Sequence, residues 1–134
     1  MKYLDILKFN QKINNKNNKK EVSILILSNV TLHPLKEYLN YFLSDNEVFF
    51  NIRFTNYDNI VQESSKIHDS KVVIVFWEIF NFIEDLNIEI KFFKESKIKK
   101  LEKNIKSQIK LVINNTKNIP IIIFNKFNSN IFDN

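Results

Sequence analysis

Between Glu21 and Leu35 the chain reads EVSILILSNVTLHPL, where Val22 and Ile24 to Leu27 form a nearly unbroken apolar run between lysine-rich sequence and the polar pair Ser28 and Asn29. That pattern predicts a strand buried on both faces. Just beyond it, Thr31 stands where a helix N-cap would fall and Pro34 sits in the first turn. Leu35, Tyr38, Leu39, Phe42 and Leu43 then recur at helical spacing, predicting a helix over 33–44. A second strongly apolar run, KVVIVFW over 71–77, matches the first and is expected to lie beside it.

The remaining elements follow from the same patterns. Leu4, Ile6, Leu7, Phe9 and Ile13 give a short amphipathic helix over 3–13, followed by the polar connector NNKNNKK. EVFFNIRF over 47–54 is rich in aromatic and β-branched residues but alternates imperfectly, as an edge strand would. Asp58 is the expected cap of a helix bearing Ile60, Val61 and Ile67. From Glu78 onward EIFNFIEDLNIEIKFF reads as a loop and short helix with Phe80, Phe82, Ile83 and Leu86 turned inward. Ile98, Leu101, Ile105, Ile109 and Val112 predict a long helix over 95–116, with Lys99, Lys103, Lys106 and Lys110 as a basic stripe on its solvated face. IPIIIFN over 119–125 closes the series as a strand, with Pro120 near its start.

Strands alternating with helices demand crossover connections, which give a parallel sheet covered on both faces. The expected architecture is a three-layer, flavodoxin-like α/β domain over 21–134 with strand order 2-1-3-4, preceded by an N-terminal helix and linker over 1–20. Its fourth strand has no following helix. The uncovered edge, with Phe124, Phe127 and Phe132, therefore points to further chain or a partner.

Composition narrows the function classes. At 134 residues one core is expected. With no cysteine, disulfides and thiolate metal sites are excluded, and a cytoplasmic location is the default expectation. No apolar run approaches a membrane span, and no hydrophobic stretch of signal-peptide length opens the chain. The net charge of +5 is lysine-based with a single arginine, Arg53, so nucleic acid is not an expected partner. The chain also lacks glycine, which removes both the dinucleotide fingerprint and the P-loop.

Candidate chemistry gathers where strands end and helices begin. Ser28, Asn29 and Thr31 occupy that position after the first strand, and Tyr57, Trp77, Glu78, Asn81 and Asn125 would stand at the ends of its neighbours. Together they could line a crevice, with the positive end of the first helix holding a phosphate or carboxylate. No His, Asp or Glu cluster has metal-ligand spacing, so neither a metal nor another cofactor is expected.

Ser28-Asn29, the Thr31-Leu32-x-Pro34-Leu35 helix start, and Tyr57-Asp58 with Gln62 and Glu63 before an apolar strand resemble the N-terminal region of FkbH-like proteins. Those belong to subfamily IIIC of the haloacid dehalogenase (HAD) superfamily. The resemblance covers roughly 1–130 and implies an SGNH-hydrolase-like domain standing before a HAD catalytic domain, in proteins serving capsule or polyketide biosynthesis. It implies a HAD-type domain or an acyl carrier protein as partner. This chain carries no DxDxT motif, so the aspartate-based phosphoryl chemistry of that family is not in it.

The resemblance also raises a hydrolase reading, in which Ser28 would be the nucleophile and Asn81 an oxyanion group. The Gly-Asp before the serine, the Gly before the asparagine and a C-terminal Asp-x-x-His are all missing. A serine needs a histidine within hydrogen-bond reach. His68 precedes its strand and belongs at the opposite end of the sheet, whereas His33 lies on the correct edge without an evident Asp partner. Three functions stay open: a noncatalytic binding domain, a small Ser28-dependent esterase or acyltransferase, and structural support for a HAD-type phosphatase domain.

Overall fold

The structure is a computed structural model that describes residues 2–13, 20–44, 48–78 and 93–126. Its strands are β1 (Lys20–Ser28), β2 (Val48–Phe54), β3 (Val72–Phe76) and β4 (Ile121–Phe124). They form one four-stranded sheet in the order β2-β1-β3-β4, parallel throughout. The two apolar runs become its two central strands, in the register Ile24 beside Val72 and Ser28 beside Phe76. Among the described residues the helices are α1 (Tyr3–Ile13), α2 (His33–Phe42), α3 (Ile60–Ser64) and α4 (Glu95–Thr116).

Because side chains alternate along a strand, the central strands feed two separate cores. Ile24 and Ile26 join Ile52 on one face, under Leu35 and Leu39 of α2. Leu27, Val73 and Val75 join Ile60, Trp77 and Val112 on the other, beneath α3 and α4. Helices thus flank a fully parallel sheet, as the alternating elements require. Outside α2 lies α1, held by Tyr3 against Tyr38, by Phe9 against Tyr41, and by the Asn10 amide. Asn10 Nδ2 donates to the Glu37 carbonyl oxygen at 2.9 Å and to its carboxylate at 2.7 Å.

Two expected helix caps are corrected. The N-cap of α2 is Leu32, and Thr31 is exposed and caps nothing. The reason lies in the first turn: Pro34 has no N–H to satisfy, and the Leu35 N–H already donates to the Leu32 carbonyl at 2.8 Å. The N-cap of α3 is Asn59, and the helix ends at Ser64, so Ile67 reaches the core from beyond it. β4 starts at Ile121 because the Ile119 N–H closes the turn after α4, donating to Thr116 at 2.8 Å, and Pro120 has none to give. Phe124 packs into the α4-side core, whereas Ile121 and Ile123 are about half exposed at the edge. Phe127 and Phe132, and the expected short helix with Phe80, Phe82, Ile83 and Leu86, lie outside the described residues.

Asp58 does something other than cap. Its φ is 57°, in the left-handed region that glycine would normally occupy, and its N–H donates to the Ser28 carbonyl at 3.2 Å. In a chain without glycine an aspartate takes the position, being one of the few residues that tolerate it. Asp58→Val is expected to lose about 1–2 kcal/mol, whereas Asp58→Gly and Asp58→Asn should stay within about 1 kcal/mol of the parent. Urea denaturation of the three variants measures this, and equal losses for Val and Gly would rule out a backbone origin.

Candidate functional site

All four strands end on one side of the sheet, and there β3 outruns its ladder. Trp77 and Glu78 follow the last paired residue, Phe76, and their peptide groups need partners. Two asparagines supply them. Asn29, at the end of β1, accepts the Glu78 N–H at Oδ1 (2.8 Å) and donates from Nδ2 to the Glu78 carbonyl (2.9 Å). Asn125, at the end of β4, does the same for Trp77, at 2.7 and 3.1 Å. A primary amide presents a donor and an acceptor side by side, as a neighbouring strand's backbone would. Each asparagine therefore extends the sheet with its side chain, one from either side of β3.

Their burial fits this role. Asn29 is 1% exposed and Trp77 3%. A buried tryptophan at a strand end requires that its own peptide groups be satisfied, and Asn125 does so.

Ser28 is also drawn inward. Its hydroxyl donates to the Val30 carbonyl at 2.5 Å and accepts the Val30 N–H at 2.9 Å, forming a local turn. His33 is the first residue of α2, and its ring meets Phe54 edge-on at 5.8 Å. The segment containing His68 enters β3 beside Ser23, where the Lys71 N–H donates at 3.0 Å. Ser28 lies five residues further along β1, about 16 Å away.

Ser28, Asn29, Trp77 and Asn125 are thus gathered at one edge. Thr31, His33, Tyr57 and Glu78 are exposed around it. Asn81 lies outside the described residues. The α2 N-terminus offers less to an anion than the sequence suggests. Of its early amides, Pro34 has none and that of Leu35 is engaged. Among the described residues no group of three or more His, Asp or Glu could hold a metal ion. None of their helices is long and apolar enough to cross a membrane.

A second cleft of about 340 Å³ was not legible in the sequence. It opens over β2, beside α3, and its lining includes Arg53, Glu63, Lys66, His68 and Asp69. Arg53 Nη2 donates to Ser23 Oγ at 3.1 Å across the strand pair. The Lys66 ammonium, 2.7 Å from Glu63, holds that carboxyl below the usual carboxylate range; burial works against this, and Asn56 adds to it. An outward-facing arginine on an edge strand was the available signal. Arg53 and Lys66 are balanced there by Glu63 and Asp69, so the cleft favours neither sign of ligand.

No protein-family model matches the chain, and no curated protein matches it. Among solved structures it is similar to the N-terminal part of the protein BF1531 from Bacteroides fragilis, which contains a phosphatase domain and is complexed with Mg. The TM-score is 0.58 at 11% identity, over 96% of this chain and 35% of that one. At that identity the likeness establishes the fold alone. The present chain spans about a third of the length of that chain.

Replacing Asn29 tests the amide bridge. Asn29→Ala strands both Glu78 peptide groups and is expected to cost about 2–4 kcal/mol. Asn29→Asp keeps the shape but sets a carboxylate oxygen against the Glu78 carbonyl, and should cost at least as much. Chemical denaturation reads both, and a loss below about 0.5 kcal/mol for either would show that water replaces the bridge.

Proposed function

We propose that this chain is a noncatalytic, SGNH-like α/β domain of the FkbH-like kind, which works by binding. Its foremost partner is a HAD-type phosphatase domain, with a carrier protein or small anionic ligand as further candidates at the carboxyl edge of the sheet. The observation that carries the noncatalytic reading is the state of Ser28. Its hydroxyl both donates to and accepts from the Val30 backbone, and the nearer-placed histidine, His33, packs on Phe54. A nucleophile needs that proton shared with a base. Asn29 and Asn125 are likewise committed to peptide groups.

The choice of a phosphatase domain as foremost partner draws on two supports. One is the resemblance of Ser28-Asn29, the Thr31 to Leu35 helix start and Tyr57-Asp58 to the FkbH-like N-terminal region. The other is a fold similar to the N-terminal part of a protein that contains a phosphatase domain. The small-anion reading is weaker because the α2 N-terminus has few amides to offer.

Turnover of p-nitrophenyl acetate by the parent and by Ser28→Ala tests the noncatalytic reading. The two are expected to agree within about twofold; a loss of tenfold or more, about 1.4 kcal/mol in barrier, would make Ser28 a nucleophile and the domain a small esterase. The coding frame beyond Asn134, or an adjacent frame, is expected to encode a DxDxT motif. Its absence from both would remove the phosphatase partner.

A further inference from the structure

The charge of this chain is concentrated in one helix. α4 holds Lys97, Lys99, Lys100, Lys103, Lys106 and Lys110 against Glu95 and Glu102, six positive charges to two negative, a balance of +4 in a chain whose total is +5. At about 100° per residue, Lys99, Lys103, Lys106 and Lys110 fall within an arc of about 60°. That arc faces away from Val112, which is fully buried in the core. The four lysines recur at steps of four, three and four residues over about 16 Å. A shallow groove of about 510 Å³ runs along them, with Glu102 and Ser107 also in its lining.

The stripe is only partly neutralised. Lys99 pairs with Glu95 at 2.6 Å and Lys106 pairs with Glu102, each one turn apart and well exposed to solvent. Exposed pairs of this kind are weak and exchange readily for an external carboxylate. The Glu102 carboxyl is held below its ordinary range by the hydrogen bond and charge of Lys106, so it remains anionic. Among the described residues Lys103 and Lys110, the alternate members, make no ion pair or hydrogen bond.

Three kinds of polyanion could meet such a face, and the residues favour one. A lipid surface takes up the apolar side of an amphipathic helix, but in α4 the Ile109 and Val112 part of that side packs in the core, which leaves only Ile98, Leu111 and Ile113 of its large apolar residues exposed. Nucleic acid is held by arginine forks and aromatic stacking as well as by charge. The lysine stripe of α4 includes neither an arginine nor an aromatic residue. An acidic helix fits: carboxylates at the same four-three-four spacing would meet the lysines one for one along about three turns.

We propose that the outward face of α4 docks an acidic α-helix of a partner protein. This rests on the reading of the domain as a binding module and names the chemistry of one partner surface.

The test uses fluorescein-labelled, alanine-based helical peptides of about 18 residues. One carries glutamates at four-three-four spacing, and a control of equal composition spreads them around the helix. Fluorescence anisotropy at low ionic strength is expected to give at least tenfold tighter binding of the patterned peptide. The double variant Lys103→Gln/Lys110→Gln, which keeps good helix formers and is checked by circular dichroism, should abolish that preference. Equal binding of the two peptides, an unaffected double variant, or tighter binding of a DNA duplex or of anionic vesicles would overturn the proposal. If the peptide preference is absent while the chain still associates with a HAD-type domain, the α4 surface alone is refuted. If the preference is present without that association, the α4 surface stands and the phosphatase partner falls.

Discussion

The carboxyl edge of this sheet depends on one constraint, which is that every buried peptide group must find a hydrogen-bond partner. β3 continues two residues past its ladder, and Trp77 sits there almost fully buried. Backbone pairing has run out on both sides by that point. The amides of Asn29 and Asn125 take its place, making four hydrogen bonds of 2.7–3.1 Å to Trp77 and Glu78. These contacts span 48 and 49 residues of sequence. They tie β1, β3 and β4 together where their ladder ends.

That arrangement decides what the edge can do. The polar residues best placed for chemistry by topology are the ones consumed by structure: Asn29 and Asn125 on peptide groups, and Ser28 on Val30. What stays open is an exposed ring of Thr31, His33, Tyr57 and Glu78 around a satisfied floor. The proposed binding role rests on this arrangement. The α4 lysine face, on a helix packed against the other core, offers a separate surface of different chemistry.

Much of the fold was legible because it follows from period alone. The two apolar runs became β1 and β3, the imperfect alternation of 47–54 became an edge strand, and the three- and four-residue apolar steps from Ile98 to Val112 became α4. The caps were misread for a local reason. Thr31 and Asp58 are good capping residues, but a proline and a backbone turn had already met the need at α2, and the αL turn claimed Asp58. That Ser28, Asn29, Trp77 and Asn125 would stand at one edge of the sheet followed from strand order, but the hydrogen bonds they make there did not. Nothing in the spacing of Asn29 and Asn125 shows that their amides will mimic strands, since each partner is almost 50 residues distant. Beyond the exposed Arg53, the cleft over β2 gave no sign in the sequence, because its lining comes from β2, α3 and the turn before β3, which only the fold brings together.

The most direct check on this picture is hydrogen exchange at the Trp77 and Glu78 amides. If asparagine side chains extend the sheet there, both amides should exchange as slowly as those of Val73 and Val75, within about tenfold, because they open only when the central sheet opens. Exchange near the rate of an unstructured peptide would contradict the account. It would mean that the amide bridges do not hold in solution and that Asn29 and Asn125 are free to serve a ligand.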